Sequence, residues 1–127
     1  LQRKLMQRDY PADVIAGVLS DLEAKRLLDD ARFAREWLRS RLRRRAEGER
    51  ALVAGLRRRG VSQQTAAAAL AGLLDEDPDL LIDAAERLLD RIDAGGTLGR
   101  DQLRYQLRGA GFSSETAGEA LERRFSE

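Results

Sequence analysis

Leu52-Val53-Ala54-Gly55-Leu56-Arg57-Arg58-Arg59-Gly60-Val61-Ser62 and Leu103-Arg104-Tyr105-Gln106-Leu107-Arg108-Gly109-Ala110-Gly111-Phe112-Ser113 carry one pattern twice, 51 residues apart. In each, two leucines four residues apart give a short helix one buried edge, and a glycine supplies the left-handed cap that ends it. An apolar residue, Val61 or Phe112, folds back onto the helix just left, and a serine caps the next one. The frame extends backward to Leu1, Leu5 and Asp9-Tyr10-Pro11. There Asp tolerates the left-handed conformation better than most residues, and Pro suits a first helical turn. Leu19, Leu70 and Leu121 fall in register, and Ala34, Trp37 and Leu38 align with Ala85, Leu88 and Leu89, all without a gap. Repetition at this period predicts helical units that stack on their neighbours.

Each unit reads as three helices. The eight expected helices cover about 1–8, 12–25, 30–45, 49–59, 62–74, 78–94, 99–109 and 113–125. The fold expected is all-α: three tandem three-helix repeats, the last incomplete, stacked into an elongated, curved body. Residues 1–127 form one repeat domain with units of about 1–47, 48–96 and 97–127. The second helix of the first unit buries Val14, Ile15, Val18, Leu19 and Leu22, matched by Ala66, Ala69, Leu70 and Leu73. The third buries Phe33, Ala34, Trp37, Leu38 and Leu42. Gly95-Gly96 and nearby Gly99 mark the expected hinge.

At 127 residues, with 43% hydrophobic and 35% charged residues, the chain is long enough to bury one core. Cys and His are both absent. Disulfides, thiolate nucleophiles, imidazole bases and the usual zinc ligands go with them. No cofactor, metal site or catalytic residue is expected, and enzyme chemistry is the weakest reading. No run of roughly 18 apolar residues or signal-peptide pattern is present. Absence of Cys is compatible with the cytosol. The chain opens at Leu1, already inside a helical pattern and without an initiator Met, so a preceding segment is expected.

Net charge is only +1, but it is unevenly distributed. Arg32 to Gly60 carries eleven Arg against three Glu, and Asp75 to Asp93 carries eight acidic residues against two Arg. At about 100° per residue, Arg32, Arg35, Arg39 and Arg43 share an arc of roughly 80° opposite the apolar face. Arg41, Arg44 and Arg45 point toward the side that should be buried, so the helix end is expected to project past the core, exposed all round. Arg57, Arg58 and Arg59 close the next helix, and Arg100, Arg104 and Arg108 form a further stripe. A single stripe is most simply a solvated face. So dense a positive charge asks for an anionic partner, either phosphate or an acidic protein groove.

Asp29-Asp30 reads as a helix start rather than a catalytic pair. Asp75, Glu76, Asp77 and Asp79 read as a polar turn, since they lack the spacing of a calcium loop. Trp37 reads as core rather than a base-stacking platform.

Leu27-Leu28-Asp29-Asp30-Ala31-Arg32-Phe33-Ala34-Arg35-Glu36-Trp37 resembles the most recognisable segment of the RecX family. Arg59-Gly60-Val61-Ser62 after Leu56 is similar to its second landmark, and Leu107 to Phe125 to its C-terminal repeat. The resemblance spans essentially the whole chain. It departs at Ala51, where a basic residue is usual, at Gly55, where Glu is usual, and at Glu49, which follows Gly48 where Pro is common. Family members also tend to carry an N-terminal basic segment. The resemblance implies a cytoplasmic, monomeric regulator that lies in the groove of the RecA–single-stranded DNA filament. It would inhibit the filament's ATPase, strand-exchange and coprotease activities and have no active site of its own. The contact residues would be Arg32, Arg35, Arg39, Arg43, Arg44, Arg45, Arg57, Arg58, Arg59, Arg104 and Arg108, touching RecA, single-stranded DNA or both. The alternatives are a RecA-independent nucleic-acid-binding module and a helical scaffold for an acidic protein.

Overall fold

A computed structural model describes residues 11–126, which contain six helices and no strand. These are α1 (Ala12–Arg44), α2 (Glu49–Arg58), α3 (Gln63–Glu76), α4 (Leu80–Ile92), α5 (Arg100–Gly109) and α6 (Ser114–Phe125). The expected helix over 1–8, with Leu1, Leu5 and the Asp9-Tyr10 turn, lies outside the described residues.

The 51-residue register is visible atom by atom. Val61 N–H donates to Leu56 O at 3.1 Å, and Phe112 N–H to Leu107 O at 3.1 Å. Each bond closes a Schellman motif around a left-handed glycine, Gly60 at φ 89° and Gly111 at φ 95°. Ser62 Oγ then accepts from Thr65 N–H and Ser113 Oγ from Thr116 N–H, both at 3.1 Å, satisfying one orphan donor at each helix start. Leu52, Leu56, Leu103 and Leu107 have no solvent exposure, and neither do Phe112 and Leu121. Leu70, the partner of Leu121, is also buried. Burying each of these leucines stabilises the fold by about 1.5–3 kcal/mol relative to leaving it in water.

Packing follows the repeat. Helix α3 lies on α2 and on α1, and α6 lies on α5 and on α4. The two sets meet where α2 begins. Gly48 N–H donates to Ala110 O at 3.1 Å, and Arg50 N–H to Gly111 O at 2.9 Å. A Cβ on Gly48 would stand 2.2 Å from Phe112 N, and one on Gly111 would stand 2.6 Å from Ala51 N. Both positions therefore require glycine because two backbones touch there.

Three expectations need correction. The helices expected at 12–25 and 30–45 are one helix of 33 residues. Arg26 to Ala31 contains neither Gly nor Pro, and its Arg, Leu and Ala favour helix strongly enough that Asp29-Asp30 does not interrupt it. Second, Val14, Val18, Leu22 and Phe33 are exposed rather than core, as are Leu27 and Leu28. The α3 counterparts of Val18 and Leu22, Ala69 and Leu73, are buried where α3 packs on α2 and α1, whereas no described element stands in that place for the first half of α1. Third, the end of α1 is not exposed all round. Leu42 is buried, Arg41 donates to Glu47 at 2.5 Å, and Arg87 donates to Leu42 O at 2.9 Å.

The glycine-rich junction expected as a hinge is stitched. Asp93 is buried, and its Oδ1 accepts the backbone N–H of Thr97 at 2.9 Å and of Leu98 at 3.1 Å. Arg124 lies 3.5 Å from Oδ2 and donates to Asp93 O at 2.7 Å. Burial pushes the Asp93 pKa upward, but these donors and the Arg124 charge outweigh it and hold it below the usual Asp value.

Candidate nucleic-acid or protein interface

The arginines of α1 divide by partner. Arg35 and Arg39 both reach across to Glu76 at the end of α3, Arg39 at 3.3 Å. Arg32, Arg43, Arg44 and Arg45 are exposed, and no ion pair is recorded for them among the described residues. Basic residues in the last turn also complement the negative end of the helix. Arg39 and Arg43 line one cavity of about 530 Å³, together with Leu42, Leu73, Glu76 and Arg87.

A second cavity, of about 470 Å³, runs along α2 and is lined by Arg50, Arg57, Gln63, Arg108 and Ser113, among others. Its arginines are partly ordered by the backbone. Arg50 donates to Arg108 O at 2.8 Å and Arg108 to Phe112 O at 3.0 Å. Arg57 and Arg58 are exposed, as is Arg104 one turn before Arg108 on α5. Arg59 is committed elsewhere: it donates to Gly55 O at 2.9 Å and lies 4.9 Å from the centroid of the Trp37 ring. Arg41 stacks on the same ring at 5.3 Å. Trp37 is thus packed between α1 and α2 with guanidinium groups against it.

The expected surface therefore resolves into two clusters, one at the end of α1 and one along α2 and α5. Sequence reasoning missed Arg50, Arg87 and the internal role of the acidic run. Glu76 pairs with both Arg35 and Arg39, while Asp79, Glu86 and Asp90 hold Arg123 and Arg124. The opposite charge of residues 75–93 and 32–60 was the available signal. Among the described residues, no group of three or more Asp or Glu is placed to hold a metal ion. None of the described helices is long and apolar enough to cross a membrane.

Fold and surface together define an all-helical tandem-repeat protein that displays guanidinium groups on rigid helices. A family profile described as "RecX, second three-helix domain" matches residues 29–70, the second half of α1 through α2 into α3. The regulatory protein RecX of Mycolicibacterium smegmatis is 42% identical over 106 residues, covering 84% of this chain and 50% of that protein. That of Mycobacterium avium is 37% identical over 112 residues, covering 88% of this chain and 63% of that protein. The crystal structure of RecX from Lactobacillus salivarius superposes with a TM-score of 0.67 at 18% identity, over 96% of this chain and 80% of that one, a likeness of fold. The chain belongs to the RecX family of regulatory proteins. It spans about half the length of the curated relatives it matches.

Proposed function

We propose that this chain binds the RecA–single-stranded DNA filament as a monomeric repeat domain in the cytoplasm and inhibits its ATPase, strand-exchange and coprotease activities. The observation that supports this most is the set of exposed arginines on the helices, Arg32, Arg43, Arg44, Arg57, Arg58 and Arg104, with Arg45 just past the end of α1. Their charge meets phosphate or acidic side chains with little rearrangement of the backbone that carries them. Arg35 and Arg39 contribute less to such a surface, because they share the Glu76 carboxylate, which offsets one of their two charges.

The test is DNA-dependent ATP hydrolysis by RecA with this protein added below one-to-one stoichiometry. The chain should suppress hydrolysis, and R43E/R57E should need at least about tenfold more protein for the same effect, with unchanged helicity by circular dichroism. No suppression at saturating amounts overturns the proposal. Salt-dependent DNA binding without suppression would put a RecA-independent nucleic-acid-binding module in its place.

A further inference from the structure

We propose that the groove along α2 is a docking site for an acidic amphipathic helix of a partner protein, one with carboxylates seven residues apart and apolar residues between them. This deepens the proposed function. It rests on the reading that the arginines of α2 and α5 face a partner, but not on that partner being RecA. The pattern is written in α2. Arg50 and Arg57 are seven residues apart, so they share one face of the helix and stand about 10 Å from each other along its axis. Val53 and Ala54 lie between them, half-buried, and all four line the cavity of about 470 Å³. Leu52 and Leu56, on the opposite side, are fully buried and fix which face looks out. A basic, apolar, apolar, basic seam over one heptad complements a second helix that presents acid, apolar and acid at the same spacing.

The charge of the groove is not spent inside the molecule. Arg108 joins it from α5. Arg50 donates to Arg108 O at 2.8 Å and Arg108 to Phe112 O at 3.0 Å. Carbonyls rather than carboxylates hold these two guanidinium groups, so their charge stays available and part of the ordering cost is met before binding. Arg57 is exposed and pairs with no carboxylate among the described residues. Glu49 is the one acidic residue of the groove wall, and Ser113 and Thr116 already engage its carboxylate. Three guanidinium groups therefore stand around an apolar floor without a counter-ion.

Other occupants fit less well. The neighbours that the repeat prescribes for α2 are already in place, namely α1, α3 and the Gly111 turn, and the groove remains open beside them. Residues 1–10 carry Arg3, Lys4 and Arg8 against Asp9, the wrong sign for this wall. Single-stranded nucleic acid stacks its bases on exposed aromatic rings, and Phe112, the one aromatic residue of the groove, has no exposed surface. In the described helices, an exposed apolar residue stands between acids seven apart only on α1, from Glu23 to Asp30 and from Asp29 to Glu36. Each of those stretches sets an arginine, Arg26 or Arg32, in the same seam, so a second copy of the chain would bring cation to cation.

The test titrates capped helical peptides into the full chain while backbone amide resonances are followed. One peptide places two Glu seven residues apart around a pair of leucines, and the other has Gln in place of both. The Glu peptide should shift the Val53, Ala54 and Arg57 amides saturably, and the Gln peptide should bind at least about tenfold more weakly. R57E, at an exposed side chain without an internal partner, should weaken the Glu peptide at least about tenfold with helicity unchanged. One of the two single Glu→Lys peptides should then bind R57E better than it binds the parent chain. Equal affinity for the Glu and Gln peptides, shifts centred on Arg43 to Arg45 instead, or binding that R57E leaves unchanged overturns the proposal. So does a single-stranded oligothymidylate that holds these amides more tightly than the Glu peptide, since nucleic acid would then be the occupant. Self-association that R57E removes overturns it too, in favour of a second copy. Suppression of RecA without peptide binding sinks this proposal alone, and peptide binding without suppression sinks only the proposed function.

Discussion

Glu49 shows how one side chain joins two repeats. Its carboxylate is half-buried, and burial alone would raise its pKa. Hydrogen bonds from Ser113 and Thr116 more than offset this, so its pKa lies below the usual value of 4.5. A depressed carboxylate pKa contributes stability that is fully present above the unfolded value and is lost as pH falls through the folded one. The chain should therefore lose part of its stability below about pH 4.5, and E49Q should lose less over the same range. At neutral pH, E49A should destabilise by about 1–2 kcal/mol, limited by solvent screening of a half-open site. Urea unfolding at neutral pH and near pH 3 measures both effects. Equal pH dependence in E49Q and the parent would show that the contact carries no linkage. Sequence alone marked Glu49 only as a departure from the family pattern, because its partners lie 64 and 67 residues away.

Helix α2 meets α1 through a size-complementary pair. A Cβ on Gly55 would lie 2.6 Å from Cη2 of Trp37, so the absent side chain is the space the indole occupies. The positions matched by the 51-residue register in the next repeat hold Leu88 and Gln106, a smaller residue in place of Trp37 and a larger one in place of Gly55. G55Q should therefore cost about 1–3 kcal/mol by overpacking, and W37L/G55Q should recover most of it. A double-mutant cycle in urea reads the coupling, and strict additivity would refute it. This explains why Gly stands where the family usually has Glu. At the level of elements, α2, α3, α5 and α6 were legible because each is bounded by glycine and serine punctuation that acts locally. The join at residues 26–31 was not. A pair of aspartates is compatible with a helix start, but only Gly, Pro or a competing tertiary contact forces a stop, and that stretch has none. The exposure of Phe33 was illegible for a related reason, since periodicity shows which face is apolar and not what covers it.

Across the whole molecule, the two equivalent helix interfaces carry opposite polarity. Basic α1 meets Glu76 at the end of α3, whereas acidic α4 meets Arg123 and Arg124 at the end of α6. Correct pairing brings unlike charges together, and exchange of α3 with α6 would oppose like ones. R123E/R124E should lower the urea midpoint, more at low salt than at high. E76R on its own should reproduce only part of that loss, and salt-independent effects of equal size would refute the role of charge. The charge segregation was plain in the sequence, but its use was not. The positive stretch read as a surface for others, and two of its members, Arg35 and Arg39, instead pair with Glu76 of the same chain. The contact between Gly48 and Gly111 has a different consequence. There main chain meets main chain with no side chain between, so the angle at which one unit leans on the next is set by peptide geometry. Substitutions elsewhere can re-dress either face without altering the pitch of the stack, provided those two positions stay bare.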